Sequence, residues 1–301
     1  MSEVGCLRDG HFQNLEVTGD TRTGVIYIDS SAKNINRSLK KTNRYYLEEF
    51  FLQRPGLNAV NTIDPDADDA AALAVTQAAN KNFEVLGSNM TTALCTFDAD
   101  RAGIRLTTAG TDEDQAIVLP HLDTTQTAWT GIGWGTENQV EWECSIATGS
   151  SIADVKIWAG LKLTNDQLLA TDDDQAFFKF QTDATNSEVF TTYANLHFVH
   201  SIGGTDYISD LGLVVADDTN YHLKIVIDGD RKLSIYVNGE QYSLTSTAGS
   251  TGGTSTGKGN TQSAALTDDV NLIPYIGVET GTGGAKYIIV HYEAINRILF
   301  E

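Results

Sequence analysis

The sequence predicts an all-β protein, an antiparallel sandwich, and three observations carry that reading. Short runs rich in valine, isoleucine, threonine and aromatic residues recur between glycine, asparagine and aspartate clusters, a composition that favours strands. The chain has 27 glycines against four prolines, so its punctuation rests on residues that accept positive φ or bond their own backbone. Residues 221–239, YHLKIVIDGDRKLSIYVNG, set Leu223, Ile225 and Ile227 against His222, Lys224 and Val226, then Leu233, Ile235 and Val237 against Ser234 and Tyr236. Period two means one buried face. Asp228, Gly229 and Asp230 make the bend and Asn238–Gly239 is a strong hairpin signal, so the stretch reads as a three-strand meander.

Before that sandwich, residues 11–29 alternate around Phe12, Leu15 and Val17, turn at TGDT and resume from Val25 to Ile28. Strands this short bury little alone and wrap around copies of themselves, so residues 1–54 are expected to be an assembly arm. Within it, residues 36–56 place Leu39, Tyr46, Leu47, Phe50 and Phe51 among charged residues before Pro55, the pattern of a short amphipathic helix. Residues 55–81 read as a helical linker: the aspartates from Asp64 precede an alanine-rich run and suit the first turn of a helix. An EF-hand loop starting at Asp64 would need Gly and Glu where Asp69 and Val75 stand, so calcium is not expected there. From Asn82 onward about a dozen strand-like runs follow, with the spacing of one large sandwich. The Gly, Ser and Thr tract at residues 246–264 reads as a loop between two of them.

The 301 residues, 41% of them hydrophobic, suffice for one large domain or two modest ones. The net charge is −20, which argues against nucleic acid as a partner, since phosphate binding needs clustered Lys and Arg. Residues 1–54 hold 8 of the 20 basic and 7 of the 40 acidic residues, so the arm is near neutral and the body strongly acidic. Cys6, Cys95 and Cys144 have no metal-like spacing, and Cys95 and Cys144 fall in apolar runs, as buried free thiols do. The opening MSEVGCLRDGHF lacks the apolar core of a signal peptide and no run approaches a membrane span, so a soluble protein without a membrane partner is expected.

The segments VKIWAGLKLTN, ATDDDQAFFKFQ, SIGGTD, TNYHLKIVIDGDRKLSIYVNG and LIPYIGVETGTGGAKYIIVHYEAI together resemble the concanavalin A-like or laminin-G-like jelly-roll domains of structural proteins of tailed bacteriophages. The likeness covers residues 82–301 and describes a fold rather than a reaction. HFQNLEVTGDT also resembles the short β repeats that begin trimeric phage fibres and head decorations. The resemblance implies a virion component made in the host cytoplasm, a homotrimer attached to the major capsid protein or another virion protein. In that reading Phe12, Leu15, Val17, Phe50 and Phe51 bury area between subunits or against the shell, and Arg37, Lys40, Lys41 and Arg44 pair with acidic partners.

Three kinds of chemistry stand beside that structural role. VEWEC places Glu141 and Glu143 on one face of a strand. Jelly-roll glucanases carry their acids on one strand as E-x-D-x-E, but Gln139 occupies the remaining place here, so the pair reads as solvated and no catalytic residue is expected. The aspartate clusters at 172–174, 217–218, 228–230 and 268–269 fall where turns belong, and neither a metal nor a cofactor is called for. Binding of a host glycan is the functional alternative: Trp129, Trp134, Tyr193, Tyr207 and Tyr275 are its candidate platforms, while Trp158 reads as core.

Overall fold

The computed structural model describes residues 43–57, 80–91, 93–98, 100–120, 133–182, 190, 192–249, 254–255 and 257–299. The chain divides after Thr42, and all of these belong to the second unit. In chain order its strands are β1 (Arg44–Glu49), β2 (Pro55–Leu57), β3 (Asn80–Leu86), β4 (Cys95–Phe97), β5 (Ile104–Thr107), β6 (Gln115–Pro120), β7 (Trp134–Gly135), β8 (Glu141–Thr148) and β9 (Val155–Lys162). They continue as β10 (Gln175–Gln181), β11 (Asn195–Ile202), β12 (Thr205–Val214), β13 (Asn220–Ile227), β14 (Leu233–Val237), β15 (Glu240–Tyr242), β16 (Thr254–Ser255), β17 (Asn271–Thr280) and β18 (Tyr287–Ile298). Two sheets result. The eight-stranded sheet runs β15-β14-β13-β8-β18-β5-β4 with β1 on β18, and the ten-stranded sheet runs β16-β12-β11-β10-β9-β17-β6-β3-β2 with β7 on β17. Among the described residues the pairings are antiparallel except β12 with β16 and β2 with β3. The fold is the antiparallel jelly-roll sandwich that the sequence predicts.

The core between the sheets follows from alternation. Trp142, Cys144 and Ile146 of β8, Leu223, Ile225 and Ile227 of β13, and Leu233, Ile235 and Val237 of β14 meet Ile157, Ala159 and Leu161 of β9 and Phe178 and Phe180 of β10. The meander is as expected. The Asp228 carboxylate accepts the backbone N–H groups of Asp230 and Lys232, each at 2.9 Å, and Asn238 and Gly239 take φ of 52° and 81°, the two positive values of a tight hairpin turn. Cys95 and Cys144 are buried free thiols.

Strand β18 carries an irregularity. Its pairing with β8 slips between Val290 and Tyr292, a β-bulge that inserts one residue. Ile288 and Val290 face the core before it, and Glu293 and Ile295 after it. Tyr292 is thereby turned outward and a glutamate inward. Trp142 Nε1 donates to Glu293 Oε1 at 2.9 Å, while Oε2 is buried without a partner. Burial pushes the Glu293 carboxyl up to about 8, opposed by the Trp142 bond, so a neutral acid sits in the core.

The N-terminal approach differs from the sequence expectation. From Arg44 to Glu49 the chain is a strand rather than a helix, paired residue by residue with β18 from Ile298 to Glu293. Leu47 turns inward while Tyr46 and Glu48 turn out. The apolar pattern of this segment fits either period, and the open edge of β18 decides for the strand, where tyrosines and leucine pack well. Phe51 is fully buried, edge-on to Phe83 at 5.5 Å, so it belongs to the sandwich core and not to an intersubunit contact. Arg44 is likewise taken by the body, donating to Asn296 Oδ1 and to the Gln139 carbonyl. Phe12, Leu15, Val17, Arg37, Lys40 and Lys41 lie outside the described residues. The helical linker expected over residues 55–81 is strand at both described ends, Pro55–Leu57 in β2 and from Asn80 in β3, because these pair with each other at the sheet edge; residues 58–79 lie outside the described residues.

Candidate functional site

Two sheet faces carry more chemistry than a sandwich requires. The first is open. On the outer side of the eight-stranded sheet, strand register lines up Lys224, Glu143, Ala294 and Glu48 as one cross-strand row, and Val226, Glu141, Asn296 and Tyr46 as the next. Residues directly opposite on one face lie about 5 Å apart. All of these but Val226, together with Tyr292, line a groove of about 300 Å³. Ala294 keeps its floor low, because its neighbours along and across the strands are long side chains.

Electrostatics fix these walls. Lys224 Nζ lies 3.2 Å from Glu141 Oε2 and 3.7 Å from Glu143 Oε2, and Arg44 lies 3.2 Å from Glu141 Oε1. The Tyr292 hydroxyl donates to Glu143 Oε1 at 3.1 Å. Burial, then the Glu143 and Glu48 carboxylates, raise its pKa, so it stays a protonated donor. Tyr46 is 51% exposed, and the ring of Phe50, 54% exposed, rests against Tyr292 at 4.9 Å. Glu141 and Glu143 do share a face, as their spacing requires, but each is committed to a cation or a phenol. That arrangement provides hydrogen-bond acceptors beside aromatic rings.

The second face is covered. On the outer side of the ten-stranded sheet, register aligns Asp210, His197, Lys179, Trp158, Gly277, Ile117 and Leu86 across seven strands. A neighbouring row holds Val199, Phe177, Gly160 and Tyr275, and another holds Gln181, Lys156, Glu279 and Gln115. Trp158 lies so close to Gly277 that a Cβ there would come within 2.3 Å of the ring. Lys156 is ion-paired with Glu279, and Lys162 with Asp172 at 2.9 Å. Lys179 Nζ donates to both the backbone carbonyl and Oε1 of Gln167, at 2.7 and 2.8 Å. Trp158, Phe177, Tyr275, Phe190 and Leu169 form a hydrophobic cluster of their own there.

The sequence candidates are scattered by comparison. Trp134 is buried in the main core with its ring 5.7 Å from that of Tyr45, since its strand is pinned to β17. Tyr193 is exposed in the turn before β11, and Tyr207 stacks on His200 at 4.8 Å. Tyr275 lies in the covered face and Trp129 outside the described residues. None of these lines the groove. The aspartate clusters act in turns: Asp172 accepts from Thr164, Asp174 from the Gly203 N–H, Asp217 from the Ile152 N–H, and Asp218 and Asp268 pair with Arg101 and Arg231.

No family model and no curated protein matches this chain. Solved structures similar to it include a protein of unknown function from Shewanella oneidensis MR-1, at TM-score 0.46 and 9% identity, over 93% of this chain and 99% of that one. The VIP36 exoplasmic/lumenal domain, bound to Ca2+ and Man3GlcNAc, aligns at TM-score 0.43 and 10% identity, over 75% of this chain and 87% of that one. An alginate lyase of polysaccharide lyase family 7, A1-II′, aligns at TM-score 0.40 and 13% identity, over 68% and 84%. Likenesses this distant carry no argument about function.

Proposed function

We propose that the protein is a non-enzymatic structural component of a virion whose sandwich binds a surface saccharide in the open groove, with the N-terminal segment as its attachment. The observation that carries the saccharide reading is the composition of the groove: the Tyr46 and Tyr292 rings beside three carboxylates, an ammonium and the Asn296 amide. Sugars present apolar C–H faces that stack on rings and hydroxyls that bond carboxylates and amides, and such sites combine an apolar wall with a few placed polar groups. Glu141 is engaged by Arg44 and Lys224, and Glu143 by Lys224 and the Tyr292 hydroxyl, so the reading is recognition without cleavage. The virion role draws on the resemblance of residues 82–301 to phage jelly rolls and on the different charge of the N-terminal segment.

Binding of the full chain to an immobilised glycan panel tests the groove. Tyr46→Ala and Tyr292→Phe are expected to weaken a saturable glycan signal at least tenfold with the fold intact by circular dichroism. Unchanged binding by both variants, or release of cleaved sugar by the parent protein, overturns the reading.

A further inference from the structure

The covered face of the ten-stranded sheet contains buried polar atoms that the fold does not satisfy. Trp158 Nε1 and both amide atoms of Asn165 are buried and have no hydrogen-bond partner, and the buried His197 imidazole meets the Asn195 backbone with one ring nitrogen, which leaves the other open. Trp158 and His197 are 0% exposed and Asn165 1%. Each such atom costs stability unless something pairs with it. They also converge. Trp158 and His197 flank Lys179 on a single cross-strand row, two strand spacings or about 10 Å apart. Asn165 stands on the segment joining β9 to β10, where Asn165, Gln167 and Leu169 are buried while Asp166, Leu168 and Ala170 are not. Leu169 belongs to the cluster of Trp158 and Phe177, so the buried side of this segment faces the sheet.

We propose that this face is a binding site for a neutral saccharide unit, with residues 163–174 as its cover and Gln167 standing where ligand hydroxyl oxygens would meet Lys179. A hydroxyl both donates and accepts, so a few of them match a set that mixes an indole donor, one open imidazole nitrogen and an amide that does both. The Trp158, Phe177 and Tyr275 rings give the apolar floor. Charge selects the class. Among the described residues, Lys156, Lys162 and Lys179 share the buried face with Glu84, Glu279, Asp172 and Asp210, so an anionic sugar would add to carboxylates already there in the larger number. The cover is held by polar contacts that a ligand can exchange: Lys179 to Gln167, Lys162 to Asp172, and Gln175 Nε2 to the Leu169 carbonyl at 2.8 Å.

Titration calorimetry of the full chain with neutral gluco-, manno- and galacto-oligosaccharides, and with an oligouronate as the anionic comparison, tests this. A neutral saccharide is expected to bind and raise the Tm. Trp158→Phe, which keeps a ring and loses the N–H, and Asn165→Ala are each expected to raise its Kd at least tenfold, while Val214→Ser, at an exposed position of neither site, leaves it unchanged. Asn165→Ala decides alone if Trp158→Phe does not fold. Binding by none of the neutral sugars, parent-like binding by the variants, or tighter binding of the oligouronate overturns the proposal. Loss of binding with Tyr46→Ala only would assign the sugar to the groove and overturn it as well.

Discussion

Glu293 shows how a single side chain can set the pH response of a sandwich. Its folded-state pKa is raised from the ordinary 4.5 to about 8 by burial, so the stabilisation it gives is full below 4.5, where it is protonated whether folded or unfolded. Between those values only the unfolded chain ionises, and stability falls by about 1.4 kcal/mol for each pH unit until the folded form ionises too. Glu293→Gln keeps an acceptor for Trp142 Nε1 and removes the titration. Denaturant unfolding at pH 5 and pH 8 is expected to show the parent losing stability at the higher pH and the variant losing much less; equal losses would remove Glu293 as the cause. At this scale the sequence was half legible. The shared face of Glu141 and Glu143 follows from their spacing, but Arg44, which pairs with Glu141, and Tyr46 and Glu48, which share the groove, come from a strand whose apolar pattern also fits a helix.

Among the elements, β1 most alters the view of the molecule. It lies along the outer half of β18 from Glu293 to Ile298, and the turn beyond it delivers Phe51 to the core. Removing residues 1–42 is therefore expected to leave the Tm nearly unchanged, whereas removing residues 1–54 should cost several degrees, since loss of a buried phenylalanine alone is worth about 3–5 kcal/mol. Differential scanning calorimetry of the two truncations checks this, and equal Tm values would show that β1 contributes nothing. The meander of β13 to β15 was readable because each strand has one wet face and each turn its own chemistry. Strands β9 and β10 were readable as strands, but the covering of both their faces was not, because all their residues are buried. A strand covered on both sides has no polar edge to its pattern, so Lys156, Trp158, Lys179 and Gln181 look like ordinary interruptions of an apolar run.

For the whole molecule, the acidic body and near-neutral N-terminal segment set the expected assembly. A body with this much negative charge repels its own copies, so association is expected to run through residues 1–42. Light scattering is expected to give three chains of 32.6 kDa for the full protein and one for the form lacking residues 1–42, and particle association is expected to be lost with the same residues. A trimer that survives the truncation would move the interface onto the sandwich.

The bulge in β18 has a consequence for how the gene tolerates change. Because Val290 and Tyr292 pair with the adjacent residues Ile146 and Ser145, His291 is a spare position in the alternation. A codon lost there leaves Tyr292 in the groove and Glu293 in the core, whereas a codon lost at Ala294 turns every later side chain of the strand to the opposite side. In a scan of single-codon deletions along Tyr287–Ile298, position 291 is where a folded protein should be recovered.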